Sequence, residues 1–396
     1  IEIDDIAKAA KGFTGSSPDL PKGLDGKALI AGKLMYSSTR VALDDMSMSL
    51  GAIGYSGAMA VDGLGDNSQP QLSINLNPKA KAGNDAAPLV QLLSDLKIAA
   101  KASVEGDKIQ IATANVQTQG NNITVNGVVG TGANKDIDIA VNADEINLDV
   151  LQKKLAGGGD SSSSGDNAAT SSKKDAASMG FSVPFTGRVR ADVAKLTTGG
   201  KTYQAIKADI VSRNGSLMIS NASVNLPDNT SIDVKGSIGK TQSLSDMDLT
   251  VRAQTSDADK LITTYVATPP ELPSKIGAAG LNGHFTGDLQ NLGFGATISA
   301  MQFNVTGAGT VADPVGTPVI NALKFTIKHP NFNDAMRKIQ PGFSGSSGFA
   351  GALDVSGDVN WGTDTYNVSN LNGKLGQTTI ADRKSTRLNS SHTIQS

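Results

Sequence analysis

The chain has 396 residues, of which 38% are hydrophobic but only 4% aromatic; 35 basic side chains face 37 acidic ones, the net charge is −2, and there is no cysteine. That length suffices for two or three ordinary domains, yet the mostly small apolar residues can cover a sheet without supplying the large anchors of a thick core. Disulfides, thiolate metal sites and cysteine nucleophiles are excluded, and without a Lys/Arg stripe nucleic acid is not expected as a partner.

In chain order, Ile1-Glu2-Ile3-Asp4-Asp5-Ile6 reads like Ile146-Asn147-Leu148-Asp149-Val150-Leu151, so the natural protein is expected to begin upstream. A breaker-rich stretch at 12–22 precedes clear strand alternation in Gln71-Leu72-Ser73-Ile74-Asn75-Leu76. A short helix is expected at 88–96. From Leu96 the chain runs LKIAAKASVEGDKIQIATANVQTQGNNITVNGVVG, with a tight reversal at Glu105-Gly106-Asp107. The alternating strand Asp138-Ile139-Ala140-Val141-Asn142-Ala143 leads to Asp149-Val150-Leu151 and a helix at 148–155. Residues 157–180, with Ser161-Ser162-Ser163-Ser164, read as a disordered loop.

The stretch at Leu96 then returns from Ala205 as AIKADIVSRNGSLMISNASVNLPDNTSIDVKGSIG, with its reversal at Arg213-Asn214-Gly215. Ile98 matches Ile206, Ile109 matches Leu217, Ile111 matches Ile219 and Val116 matches Val224, all 108 residues apart. Gly106 and Gly127 match Gly215 and Gly236 at 109. The closing strand recurs 110 residues on, as Asp248-Leu249-Thr250-Val251-Arg252-Ala253 followed by Asp259-Lys260-Leu261 and a helix at 258–266. Breakers at 268–280 follow; a looser third ending, 323–327, leads through His329 to a helix at 333–339 and breakers at 341–348.

Self-similarity in one register points to an elongated array rather than a globule with a catalytic cleft. The expected fold is mainly β: an elongated repetitive antiparallel sheet folded into an apolar trough, with short helices at the unit ends. Its divisions are a first repeat region at 1–156, the loop at 157–180, a second repeat region at 181–381 and a tail at 382–396. Within the tail, RKSTRLNSSH resembles a translated sequencing-adapter string, with a solvated tail as the alternative.

Catalytic chemistry finds little support. His284, His329 and His392 are far apart, and His329, before Pro330, reads as a turn residue. Carboxylates are scattered over the wet faces of strands with no pair singled out. Spacings such as Gly51, Gly54 and Gly57, or Gly127, Gly130 and Gly132, fit turns and bulges better than a phosphate loop, since no helix follows. Asn-x-Ser/Thr triplets such as Asn221-Ala222-Ser223 follow from composition. No catalytic residue, metal site or cofactor is expected. No run in these residues approaches the roughly 18 apolar residues of a membrane span and none reads as a signal peptide, which with a start expected upstream says nothing of the full protein.

What remains is an apolar face. Its candidates are Ile98, Ile109, Ile111, Ile123, Val125, Ile139 and Val141 in the first copy, with Val104 beside them. The second copy supplies Ile206, Leu217, Ile219, Ile232, Val234, Leu249 and Val251. These residues either fill a closed core or line a groove for an apolar ligand.

The segment GLDGKALIAGKLMYSSTRVALDDMSMSLGAIGYSGAMAVDG from Gly23, the strand followed by Asp-x-Leu, residues 181–239 and LKFTIKHPNFNDAMRKI from Leu323 together resemble the AsmA family of Gram-negative envelope proteins. Ala350-Gly351-Ala352-Leu353-Asp354-Val355-Ser356-Gly357 and Leu371-Asn372-Gly373-Lys374-Leu375-Gly376 fit the same style, so the resemblance spans 1–380. It implies an inner-membrane anchor ahead of a periplasmic body, and a folded-over antiparallel sheet whose trough takes phospholipid or another acyl lipid toward the outer membrane. The alternative it implies is a scaffold that meets other envelope proteins and offers sheet edges to client strands. It brings no catalytic residue.

Overall fold

The computed structural model describes residues 2–4, 27–65, 69–80, 88–118, 121–131, 136–150, 181–183, 185–265, 275–315, 317–340, 342–345, 350–362 and 366–381. Among these, 21 strands dominate, with three helices of seven or eight residues. The protein is mainly β, and its strands are antiparallel apart from one junction. The sequence-predicted loop at 157–180 and tail at 382–396 lie outside the described residues.

The chain divides into two compact units, the first drawn from Ile1–Ser172, Phe181–Pro227 and Ser231–Gln242. Unit 1 holds β1 (Glu2–Ile3), β2 (Ala28–Tyr36), β3 (Arg40–Leu50), β4 (Ile53–Asp62), β5 (Gln71–Ala80), α1 (Pro88–Ser94) and β6 (Lys97–Glu105). It continues with β7 (Lys108–Thr118), β8 (Asn121–Gly130), β9 (Asp136–Asn147), β10 (Thr186–Thr198), β11 (Lys201–Arg213), β12 (Ser216–Asn225) and β13 (Ser231–Lys240). Unit 2 holds β14 (Ser245–Thr255), α2 (Ala258–Tyr265), β15 (Ala279–Gly287), β16 (Asn291–Ala300), β17 (Phe303–Ala312) and β18 (Val319–His329). It ends with α3 (Phe332–Ile339), β19 (Leu353–Trp361), β20 (Tyr366–Leu375) and β21 (Thr378–Ala381). The division between units falls inside the second repeat copy, between its β13 and its closing strand β14, and does not coincide with 157–180.

Within each unit the strands pair with their sequence neighbours as a meander. The reversals form where expected: Gly106 sits at φ +57, and Asn214 and Gly215 at +50 and +76, the left-handed pair that a two-residue hairpin turn requires. The exception to antiparallel order is β9 against β10, which run parallel from Asp136 beside Thr186 to Asn147 beside Thr197. A parallel neighbour needs a connection of at least a dozen residues, and 148–185 provide it.

The repeat is also conformational. In β7 the register slips between Ile111 and Ala114 opposite β8, and in β12 it slips identically between Ile219 and Ala222 opposite β13. Gly127 and Gly236 follow these bulges at φ +137 and +134. A Cβ at Gly127 would sit 2.0 Å from the Asp138 carbonyl oxygen, so no other residue fits without moving β9.

Helices start at repeated polar caps. Asn147 accepts a hydrogen bond from the Val150 N–H at 3.1 Å, Asp257 from Lys260 at 3.0 Å and Asn331 from Asp334 at 3.4 Å. The helix expected at 148–155 is helical at 148–150, and the rest lies outside the described residues. In unit 1 α1 packs on the sheet: Val90 is fully buried against Ile53 and Tyr55, ringed by Met48, Leu50, Leu76 and Leu93. The Tyr55 hydroxyl donates to the Leu93 carbonyl, so this ring is buried with its polar tip satisfied.

Gly127→Val is expected to destabilise the protein by about 3 kcal/mol or more, because left-handed strain and the Asp138 collision add. Gly106→Ala, where an added Cβ meets nothing within 4 Å, is expected to cost only about 1–2 kcal/mol. Urea unfolding midpoints of the two variants measure the difference.

Candidate functional site

Directly opposed residues of paired strands point to the same face, so the register can be followed from strand to strand. In unit 1 one row runs Leu76, Ile98, Val116, Ile123, Ala143, Val193, Ile206 from β5 to β11. The next runs Ala114, Val125, Val141, Ala191, Ala208, Ala222, Val234 from β7 to β13. A third runs Ile111, Gly127, Ile139, Val189, Ile210, Ile219, Gly236, and a fourth Ile109, Val129, Ile137, Gly187, Ser212, Leu217, Ile238. Ile232, opposite Val224, continues the first row beyond a bulge in β11.

All twelve unit 1 candidates therefore share one face, and none of the four rows carries a charge. Their exposure is intermediate. Only Leu217, at 8%, is buried; the other eleven are half-buried and none is fully exposed. The same face continues through β3–β5 as Met48, Tyr55, Met59, Ile74 and Leu76, residues absent from the sequence-predicted set. The alternation of 71–76 was the available signal.

The opposite face holds the charges. Arg188 Nε and Nη2 reach both Asp209 carboxylate oxygens at 2.8 and 2.5 Å, and that guanidinium holds the Asp209 carboxyl below its ordinary range. Arg190 spans the parallel junction to Asp138 at 2.5 Å. These pairs are partly exposed and add little stability, but they mark which side faces water.

In unit 2, Leu249 and Val251 lie on the apolar face of β14, opposite Phe285 and Gly283. Phe294 stands beside Phe285, and Phe325 lies opposite Gly307 and Gly357. A Cβ on Gly283 would come within 2.7 Å of the Phe285 ring, and one on Gly357 within 3.0 Å of the Phe325 ring. The rings thus lie over bare backbone and level this floor. Sequence reading missed them because few aromatics are present, Phe285 and Phe294 sit in glycine-rich segments that read as turns, and Phe325 lies in the looser third ending, outside the matched copies.

The concavities open elsewhere. One of about 500 Å³ in unit 2 is bounded by Thr250, Asn282, His284, Thr297 and Lys324; one of about 900 Å³ in unit 1 is bounded by Lys108, Asp136, Arg188 and Met218. Neither includes any of the fourteen candidates. The candidate rows form a half-buried floor.

The histidines carry no catalytic arrangement among the described residues. His284 is exposed with Nε2 2.8 Å from Asp248 Oδ1. His329 is buried, lies against the Phe303 ring at a 48° tilt with centroids 4.5 Å apart, bonds the Met301 carbonyl through Nε2 at 3.1 Å and accepts the Asn331 N–H at Nδ1 at 3.0 Å. It ties the β16–β17 turn to the α3 cap, while His392 lies outside the described residues. Among the described residues no three His, Cys, Asp or Glu side chains gather to hold a metal, and no helix is long and apolar enough to cross a membrane.

The recurrent Asp-x-Leu is a turn clamp. Asp149 accepts the N–H groups of Gly199 and Gly200 at 2.6 and 2.8 Å, and Asp259 accepts those of Ile276 and Gly277 at 3.2 and 3.0 Å. No family model matches the chain, and no curated protein or solved structure does.

The Gly277 N–H, followed by that of Ile276, holds the Asp259 carboxyl below its ordinary value. A depressed folded value means stability that is present above the unfolded value and lost as pH falls through the folded one. Asp259→Asn is therefore expected to lower the melting temperature at pH 7, and the gap to the unsubstituted protein is expected to narrow between about pH 5 and pH 2. A melting series across that range measures it.

Proposed function

We propose that this chain is a non-enzymatic periplasmic segment of an AsmA-like envelope protein, anchored in the full-length protein to the inner membrane. Its apolar sheet face accommodates phospholipid acyl chains for transport to, or maintenance of, the outer membrane. The family resemblance supports the class, and one observation carries the binding mode: four uncharged, mostly aliphatic rows on one face of unit 1, in which eleven of the twelve sequence-predicted positions are half-buried. A fully closed core would have hidden the eleven half-buried positions as well, and water alone does not favour leaving them partly open.

The row Ala114, Val125, Val141, Ala191, Ala208, Ala222, Val234 contains only Ala and Val. Ile98, Ile123 and Ile206 stand on one side of it and Ile111, Ile139 and Ile219 on the other, and the row runs across the strands. An acyl chain laid there leaves water at about 0.8 kcal/mol per buried methylene. No polar side chain in that row pins it, so the chain can slide.

A photoreactive residue at position 234 is expected to crosslink acyl lipid, and one at 233, which points to the charged face, is not. Val234→Asp is expected to lower co-purifying lipid several-fold by mass spectrometry, with Asp233→Lys leaving it unchanged. A folded protein that crosslinks no lipid at 234 overturns the reading; its melting temperature separates that result from simple unfolding.

A further inference from the structure

On the side of unit 2 opposite the phenylalanine floor, the register sets Thr250, His284, Gly295, Ala308 and Lys324 in one row from β14 to β18. The next row runs Asn282, Thr297, Thr306, Thr326 from β15 to β18. Together they bound the concavity of about 500 Å³. Its room comes from the middle of the first row, where Gly295 and Ala308 raise at most a methyl group between His284 and Lys324. Nothing in the backbone demands glycine at 295: its φ is not positive, and an added Cβ meets nothing within 4 Å. Gly283 and Gly357 differ, since their missing side chains make way for the Phe285 and Phe325 rings.

The groups around this hollow have bonding capacity to spare. Lys328, on the same strand as Lys324, pairs with the opposed Asp354 at 3.2 Å. Lys324 is opposed to Asp358 in the same way, yet that carboxylate takes the Asn370 amide at 2.6 Å, and among the described residues Lys324 has no ion-pair partner. Nor, among the described residues, do the Thr250, Thr297, Thr306 and Thr326 hydroxyls or the Asn282 amide make a hydrogen bond within the protein. At the far end His284 Nε2 lies 2.8 Å from Asp248 Oδ1. A carboxylate only accepts, so Nε2 donates and Nδ1 of the neutral ring is left as an acceptor. No carboxylate stands among the residues that border the hollow.

These features select a ligand. One uncompensated ammonium calls for one anionic group, and four hydroxyls with an amide, which donate and accept alike, call for several hydroxyls beside it. From β15 to β18 the row spans three strand spacings, about 14 Å between backbones, which leaves width for one or two sugar rings between the end side chains. We propose that this hollow binds an anionic sugar, its charge on Lys324 and its hydroxyls on the threonines and Asn282. A free sugar acid or sugar phosphate and one unit of an anionic glycan share that chemistry. The site lies on the face away from the apolar floor, so the inference is independent of the lipid reading.

Ligand-observed saturation-transfer NMR with galacturonate and glucose 6-phosphate tests it. For so small a ligand in an open hollow, dissociation constants on the order of 1 mM are expected. Galactose, which lacks the anion, and acetate, which lacks the hydroxyls, are expected to bind at least about tenfold more weakly. Lys324→Met is expected to weaken both anionic sugars about tenfold, as the loss of one charge-assisted hydrogen bond does. Gly295→Val, which fills the hollow, is expected to abolish their binding with the melting temperature unchanged. Lys328→Met, whose cation is committed to Asp354, is expected to leave binding as it was. Trigalacturonate that binds about tenfold tighter than galacturonate assigns the site to a glycan, and equal binding assigns it to the free sugar. Folded protein that binds neither anionic sugar overturns the proposal. So does acetate or galactose binding as tightly as they do, and so does binding that survives both Lys324→Met and Gly295→Val.

Discussion

Strand parity governs this protein. Successive side chains alternate between faces, so an apolar floor exists only if every strand keeps phase with its neighbours. In β7 the apolar residues fall at 109 and 111 and then at 114 and 116, a change of phase that an unbroken strand would have turned toward the charged side. The bulge between Ile111 and Ala114 restores the phase, and Gly127 beside it supplies the backbone that β9 can approach. The second copy repeats the device with Ile219, Ala222 and Gly236. Remove the bulge, and Ala114 and Val116 would share a face with Lys97 and Lys101.

Once phase is kept, the remaining structure closes the ends of strands. Asn147, Asp257 and Asn331 start helical turns by capping, and the aspartates two positions after the first two, Asp149 and Asp259, each gather two backbone N–H groups of a following turn. Acidic residues that repeat in sequence at the ends of alternating strands are therefore architectural. His329 has the same character in unit 2, where both ring nitrogens are committed to backbone partners. The groups that looked most like chemistry hold turns, and the repeated aliphatic positions share one half-buried face.

The two halves of the candidate site were legible to different degrees. Twelve aliphatic positions could be selected because each sits in a regular alternation whose spacing recurs, and recurrence ties them to one register before any pairing is known. Met48, Tyr55 and Met59 belong to the same face but have no repeat partner, and the phase change in β3 near Asp45, at φ +50, obscures their alternation. Phe285, Phe294 and Phe325 were invisible for another reason: the room they occupy is made by glycines on neighbouring strands or two residues away, which sequence proximity alone reads as turns.

By itself the sequence determined the strand-rich class, the hairpin positions at Gly106 and Asn214-Gly215, the repeat and the apolar side of each strand, because these depend on local periodicity and on which residues tolerate positive φ. Only the tertiary structure decided that β9 and β10 run parallel, that the compact units divide between β13 and β14, and that the apolar face is left half-buried. Those outcomes depend on which distant strands become neighbours and on what, if anything, packs above them. Periodicity along one strand records the side that avoids water; it does not record how much water remains.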